Sequence, residues 1–92
     1  MEVSVRIPAP LRTLTGGRGA VMASGETVKA AIDDLVARHP GMGKFLLDGE
    51  GLRRFVNLYV GEDNIRSLDG LDTRLEPGDE ISIVPAIVGG AR

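Results

Sequence analysis

Val3, Val5 and Ile7 alternate with Glu2, Ser4 and Arg6, the two-residue period of a strand with one buried face. Pro8 and Pro10 end or bend that strand. After the turn Thr15-Gly16-Gly17-Arg18-Gly19, the segment Ala20 to Ala23 is expected to pair back on it as a wide hairpin. The period then changes. Thr27 stands as an N-cap, and Val28, Ala31, Ile32, Leu35 and Val36 fall at i, i+3, i+4, i+7 and i+8, one apolar stripe of a helix. Lys29, Asp33, Asp34, Ala37 and Arg38 occupy the other face, and His39-Pro40-Gly41 stops the helix, because proline restricts the residue before it and glycine is free to reverse the chain.

Gly41 to Leu52 reads as irregular, with Met42, Phe45, Leu46 and Leu47 as core material on a helical turn and Asp48-Gly49-Glu50-Gly51 as loop. Arg53 to Val60 is rich in β-branched and aromatic residues and predicts a third strand, apolar on both faces. Gly61 to Asn64 is a turn, Ile65 and Arg66 a short extended piece, and Leu68, Leu71 and Leu75 are expected to tack the next loop to the core. Glu76-Pro77-Gly78-Asp79 is a turn signal. Ile81 and Ile83 then alternate with Ser82 and Val84 in a last strand closed by Pro85, and Ala86 to Arg92 is expected as an extended tail. The order β-β-α-β-β predicts an α+β domain over residues 1–85, with the helix on one sheet face and a tail over 86–92.

With 92 residues there is room for one core only. An apolar fraction of 42% against 26% charged residues belongs to a chain that folds unaided. Thirteen acids against eleven bases give a formal charge of −2, and no stretch concentrates Lys and Arg into a stripe, so nucleic acid is not an expected partner. The absence of cysteine excludes disulfides, thiolate metal sites and a cysteine nucleophile. Met1-Glu2-Val3-Ser4 lacks the basic and apolar regions of a secretory signal, and no segment approaches the ~20 apolar residues of a membrane span. The expectation is a soluble cytosolic protein.

Candidate chemistry is sparse. His39 is the only histidine, and at a helix C-terminus it reads as a capping side chain. Asp33 and Asp34 are adjacent, so on a helix they diverge and cannot act as a carboxylate pair. Gly16-Gly17-Arg18-Gly19 lacks the Lys-Ser/Thr of a phosphate loop. The chain is therefore not expected to be an enzyme. What remains is the tail, where Gly89-Gly90 follows shortly on the final strand. If Ile81 and Ile83 face the helix, Val84 and Ser82 face away. Leu58, Ile65, Val84 and Pro85 are then candidates for a docking surface, with Leu58 and Ile65 equally readable as core.

Pro77-Gly78-Asp79-Glu80-Ile81-Ser82-Ile83-Val84-Pro85 followed by Gly89-Gly90 resembles the ubiquitin-like sulfur carriers of the MoaD/ThiS family, and the likeness spans nearly the full chain. Arg54 to Val60 with Val84-Pro85-Ala86 looks closest to the members that serve a cysteine synthase. The resemblance implies a β-grasp fold: a mixed sheet with one main helix, its last strand central and parallel to the first. It also implies that an E1-like adenylyltransferase joins the carboxylate of Gly90 to AMP from ATP, that sulfur then displaces AMP to leave a thiocarboxylate, and that no cofactor is bound. Gly89 and Gly90 lack Cβ and suit a narrow channel, and Pro85 to Gly90 spans roughly 20 Å when extended at about 3.3 Å per residue. Family members in their active form end at the second glycine, whereas Ala91 and Arg92 follow here. Cleavage between Gly90 and Ala91 by a JAMM-type metalloprotease is therefore expected. The implied acceptor is a PLP-dependent cysteine synthase. A molybdopterin synthase small subunit, a carrier for sulfur-containing secondary metabolites, a ubiquitin-like protein modifier and a plain interaction module are the alternatives.

Overall fold

A computed structural model describes residues 1–49 and 51–85. The first strand, β1 (Glu2–Arg6), pairs antiparallel with β2 (Ala20–Ser24), from Glu2 opposite Ser24 to Arg6 opposite Ala20. This is the wide hairpin expected from the sequence. Its connection is more ordered than the prolines alone announced: Ala9–Thr15 forms a 3-10 helix with proline in its first turn, closed by Gly16 at φ 67°. The Thr15 hydroxyl donates to the carbonyls of Arg12 and Arg18, which lets this polar side chain sit buried at the turn.

Helix α1 (Val28–Arg38) starts where the sequence placed it. Thr27 is extended, and its Oγ1 accepts from the Ala30 amide at 3.1 Å. Val28, Ala31, Ile32 and Leu35 are fully buried against the sheet, while Val36 is half-buried. His39 caps the other end through its backbone N–H to the Leu35 carbonyl at 2.8 Å.

Between the helix and the next strand the sequence reading was too coarse. Gly41–Leu46 is a second helix, α2, that buries Met42 and Leu46. A small hairpin of β3 (Leu47–Asp48) and β4 (Gly51–Leu52) follows where a loop was expected. The strand expected over Arg53–Val60 is confined to β5 (Val56–Val60). Asp63–Asn64, read as turn, is the short strand β6 against Tyr59 and Val60, and Ile65–Ser67 is a 3-10 turn rather than extended. The Asn64 side chain causes the change by accepting from the Arg66 amide at 2.8 Å, an Asx turn that competes with a straight strand. Leu75 is buried and Leu71 packs against the core, but Leu68 points to solvent at 44% exposure and tacks nothing down.

The last strand, β7 (Glu80–Pro85), follows the expected turn, in which Gly78 has φ 92° and Asp79 bonds back to Glu76 through both backbone and side chain. β7 enters the middle of the sheet, whose order is β2-β1-β7-β5-β6. It lies parallel to β1, with Val5 opposite Ile81, and antiparallel to β5, from Val60 opposite Ile81 to Val56 opposite Pro85. Ile81 and Ile83 join Val3, Val5, Val56 and Leu58 under the helices. β7 is held from both sides as far as Ser82 and by β5 alone from there to Pro85, so its register is set by the core and its end lies beside Val56.

Candidate functional site: the end of the central strand

Gly89, Gly90, Ala91 and Arg92 lie outside the described residues, so the site is built from what surrounds Pro85. Val84, the residue before it, faces away from the helices and is 45% exposed, as the alternation along β7 requires. Its cross-strand partner is Asn57. Leu58 and Ile65, the other two apolar docking candidates, are 0% and 1% exposed. They are core, not surface: Leu58 shares the inward face of β5 with Val56, and the 3-10 turn aims Ile65 inward. Only Val84 and the half-buried Pro85 of the expected set meet at the surface.

One residue that sequence reasoning passed over organises this corner. Arg66 Nη2 donates to the carbonyls of Arg53 at 3.3 Å, Arg54 at 3.4 Å and Val56 at 2.7 Å, while its Nε reaches Asn57 Oδ1 at 3.4 Å. Asn57 Oδ1 also accepts from Asn64 Nδ2 at 3.3 Å. The guanidinium thus straps the segment entering β5 against the 3-10 turn. Its spacing from Arg53, 13 residues away, carries no local signal; the contact arises only when β5 and β6 are folded side by side. On the other side of that segment Phe55, 38% exposed, meets Phe45 of α2 edge-on at a centroid distance of 5.6 Å.

The remaining polar features serve structure. Asp33 pairs with Lys29 at 2.8 Å, and Asp34 accepts from the Ser24 amide at 2.8 Å and from Arg38 Nε at 2.9 Å, so the two carboxylates face different partners. Among the described residues no group of three or more His, Asp or Glu is placed to hold a metal ion. No helix among them is long and apolar enough to cross a membrane. A cleft of about 110 Å³ beside α1, lined by Ile32, Leu47, Gly51 and Leu71 among others, is well below the size of a small-molecule site, and none of the expected site residues lines it.

A single main helix packed across a mixed sheet, with the C-terminal strand central and parallel to the first, defines a ubiquitin-like β-grasp protein. The chain belongs to the ThiS family, which matches residues 5–90. It is 44% identical over 93 residues to the sulfur carrier protein CysO of Mycobacterium tuberculosis, a match covering 98% of this chain and all of that one. It superposes on a chain of the Amycolatopsis orientalis BexX/CysO complex with a TM-score of 0.89 and 44% identity, covering 96% of this chain and 99% of the other. Small archaeal modifier protein 1 of Methanosarcina acetivorans gives a TM-score of 0.87 at 31% identity, over 97% and 96% of the two chains. The protein is a homologue of the CysO sulfur carrier.

Proposed function

We propose that this protein carries sulfur as a thiocarboxylate on Gly90 and delivers it to a biosynthetic enzyme. Residues beyond Gly90 are first removed by a JAMM-type metalloprotease that cuts between Gly90 and Ala91. The freed carboxylate of Gly90 attacks the α-phosphorus of ATP in an E1-like enzyme, expelling pyrophosphate and forming the acyl adenylate. Hydrosulfide then adds to the acyl carbon, AMP leaves with the acyl–oxygen bond broken, and the S–H proton passes to solvent, giving –C(O)S⁻. This sulfur is the nucleophile offered to the acceptor. The 44% identity to CysO favours a PLP-dependent cysteine synthase in that role.

The observation that carries the reading is the position of Pro85: it ends a strand at the centre of the sheet, four residues before the first glycine of a diglycine. The body supplies a rigid handle, Val84 and Pro85 a contact beside it, and Pro85 to Gly90 a reach of roughly 20 Å into a partner.

The test incubates a chain ending at Gly90 with the adenylating enzyme, ATP and a sulfide source, followed by intact-mass spectrometry. The expected product is heavier by the exchange of one oxygen for sulfur. An unchanged mass, or the same gain in a chain lacking Gly90, overturns the proposal. The likeness to small archaeal modifier proteins supports a second reading, in which the same adenylate ends in an isopeptide bond to a lysine of another protein. Conjugates of high mass in lysate that require Gly90 decide for it.

A further inference from the structure

The fold gathers arginines that the sequence scatters. β1 and β7 are parallel and β5 runs against them, so the end of β1, the start of β5 and the end of β7 share one edge of the domain. Arg6 is the last residue of β1 and sits opposite Ser82. Arg12 and Arg18 lie in the connection leaving that end, where Arg12 Nε donates to the Ile7 carbonyl at 3.1 Å. Arg53 and Arg54 lead into Val56, the partner of Pro85, and Arg66 is strapped over them. None of these six makes an ion pair among the described residues, where the pairs formed are those of Lys29 and Arg38.

The acids at the ends of the sheet strands are elsewhere. Glu2 begins β1, Glu62 and Asp63 lie at the turn after β5, and Glu76, Asp79 and Glu80 lie at the entry to β7, all at the opposite end of the same strands. Asp33 and Asp34 are engaged on α1. In a chain of net charge −2, the arginines named thus gather around the end of β7, while the acids of the sheet strands lie at the far end together with Arg74.

We propose that this arginine ring docks on an acidic protein surface: the partner that takes in the tail carries Asp and Glu side chains around the mouth of its channel. The inference rests on the carrier reading, since it is the tail that makes the ring meet a partner first. The ring and the acids at the far end orient the encounter, so the domain arrives tail first. Exposed Val84 and Phe55 lie among the arginines, and arginine interleaved with apolar and aromatic side chains is the composition of a protein interface. A polyanion such as nucleic acid would meet those acids as soon as it extended past the ring.

The first arm of the test follows backbone amide shifts of the full chain during titration with a decaglutamate peptide and, separately, a dodecathymidylate oligonucleotide. The peptide is expected to move Arg6, Arg54, Ser82 and Val84, to leave Asp63 and Asp72 in place, and to lose affinity with added NaCl. Absent or dispersed shifts, or tighter binding of the oligonucleotide, overturn the inference. The second arm measures association of the full chain with the E1-like adenylating enzyme. Arg6→Glu with Arg54→Glu is expected to slow association about tenfold at low salt and to flatten its salt dependence, with dissociation nearly unchanged. An unchanged, salt-independent association rate overturns it. Failure of sulfur loading at Gly90 with the steered association intact removes the carrier reading alone.

Discussion

Arg66 donates to the carbonyl of Val56 at 2.7 Å, and Val56 is the ladder partner of Pro85. β6 has two residues and pairs only with Tyr59 and Val60, so the Val56 end of β5 has no strand neighbour on that side. The guanidinium supplies the missing donors. It converts a frayed strand end, which would leave carbonyls of the sheet unpaired, into a fixed wall beside the root of the tail.

Arg66→Ala is therefore expected to cost about 1.5–3 kcal/mol, the range for hydrogen bonds to charged groups, read as a lower urea midpoint with unchanged slope. Amide exchange should quicken at Val56 and Asn57 more than at Ile81. Arg66→Lys restores the charge but not the planar fork and should recover less than half of the loss. Uniform acceleration of exchange across the sheet would contradict a local strap.

Leu58 and Val84 both belong to central strands and differ in what covers them. Leu58→Ala empties a fully buried site and is expected to destabilise by about 2–5 kcal/mol. Val84→Ala removes an exposed side chain and should stay within about 0.5 kcal/mol, while weakening association with the adenylating enzyme. Thermal unfolding measures the first effect and binding the second. A Val84→Ala variant as unstable as Leu58→Ala would place Val84 in the core.

Periodicity made the long elements legible. Thr27 with the stripe through Leu35, and Ile81 alternating with Ser82, each lie in one continuous pattern, and both elements formed there. The short elements were not legible, because their causes are local and weakly patterned or distant in the chain. α2 contains Gly41 and Gly43, poor helix formers, and is held by the burial of Met42 and Leu46. The 3-10 turn at Ile65 hangs on one Asn64 side chain. Leu58 and Ile65 are apolar in any setting, and sequence alone left open whether they face the core or a partner. The arginine ring is invisible by construction: Arg6, Arg18, Arg54 and Arg66 never cluster along the chain, and only the parallel pairing of β1 with β7 brings their strand ends together.

Gly25 illustrates a constraint of space rather than of backbone angle. A Cβ there would lie 2.5 Å from the Ala31 nitrogen and 2.8 Å from the Ala30 carbonyl carbon, both backbone atoms of α1. Neither can move without displacing the helix. Gly25→Ala is expected to destabilise by about 1–3 kcal/mol, as other overpacked sites do. Gly49→Ala, at an open position, should be near neutral. Equal denaturation midpoints for the two variants would refute the close approach.

The Lys29–Asp33 pair makes a pH prediction whose direction is fixed. The ammonium donates to Asp33 Oδ2 at 2.8 Å across one helical turn, and this hydrogen bond, helped by the negative charge of Asp33, raises the Lys29 pKa above its ordinary 10.5. A group that holds its proton more tightly when folded stabilises the fold fully below 10.5, and loses that contribution as pH climbs through the raised value. Both side chains are more than half exposed, so the effect is small and screened by salt. The stability difference between the parent chain and Lys29→Met should be constant from neutral pH up to about the unfolded lysine value, near 10.4, and shrink beyond it. Asp33→Asn should show the same flattening, and about 1 M NaCl should diminish both differences. A difference that widens with alkalinity would mean that Lys29 is destabilised in its charged form, contrary to the geometry of the pair.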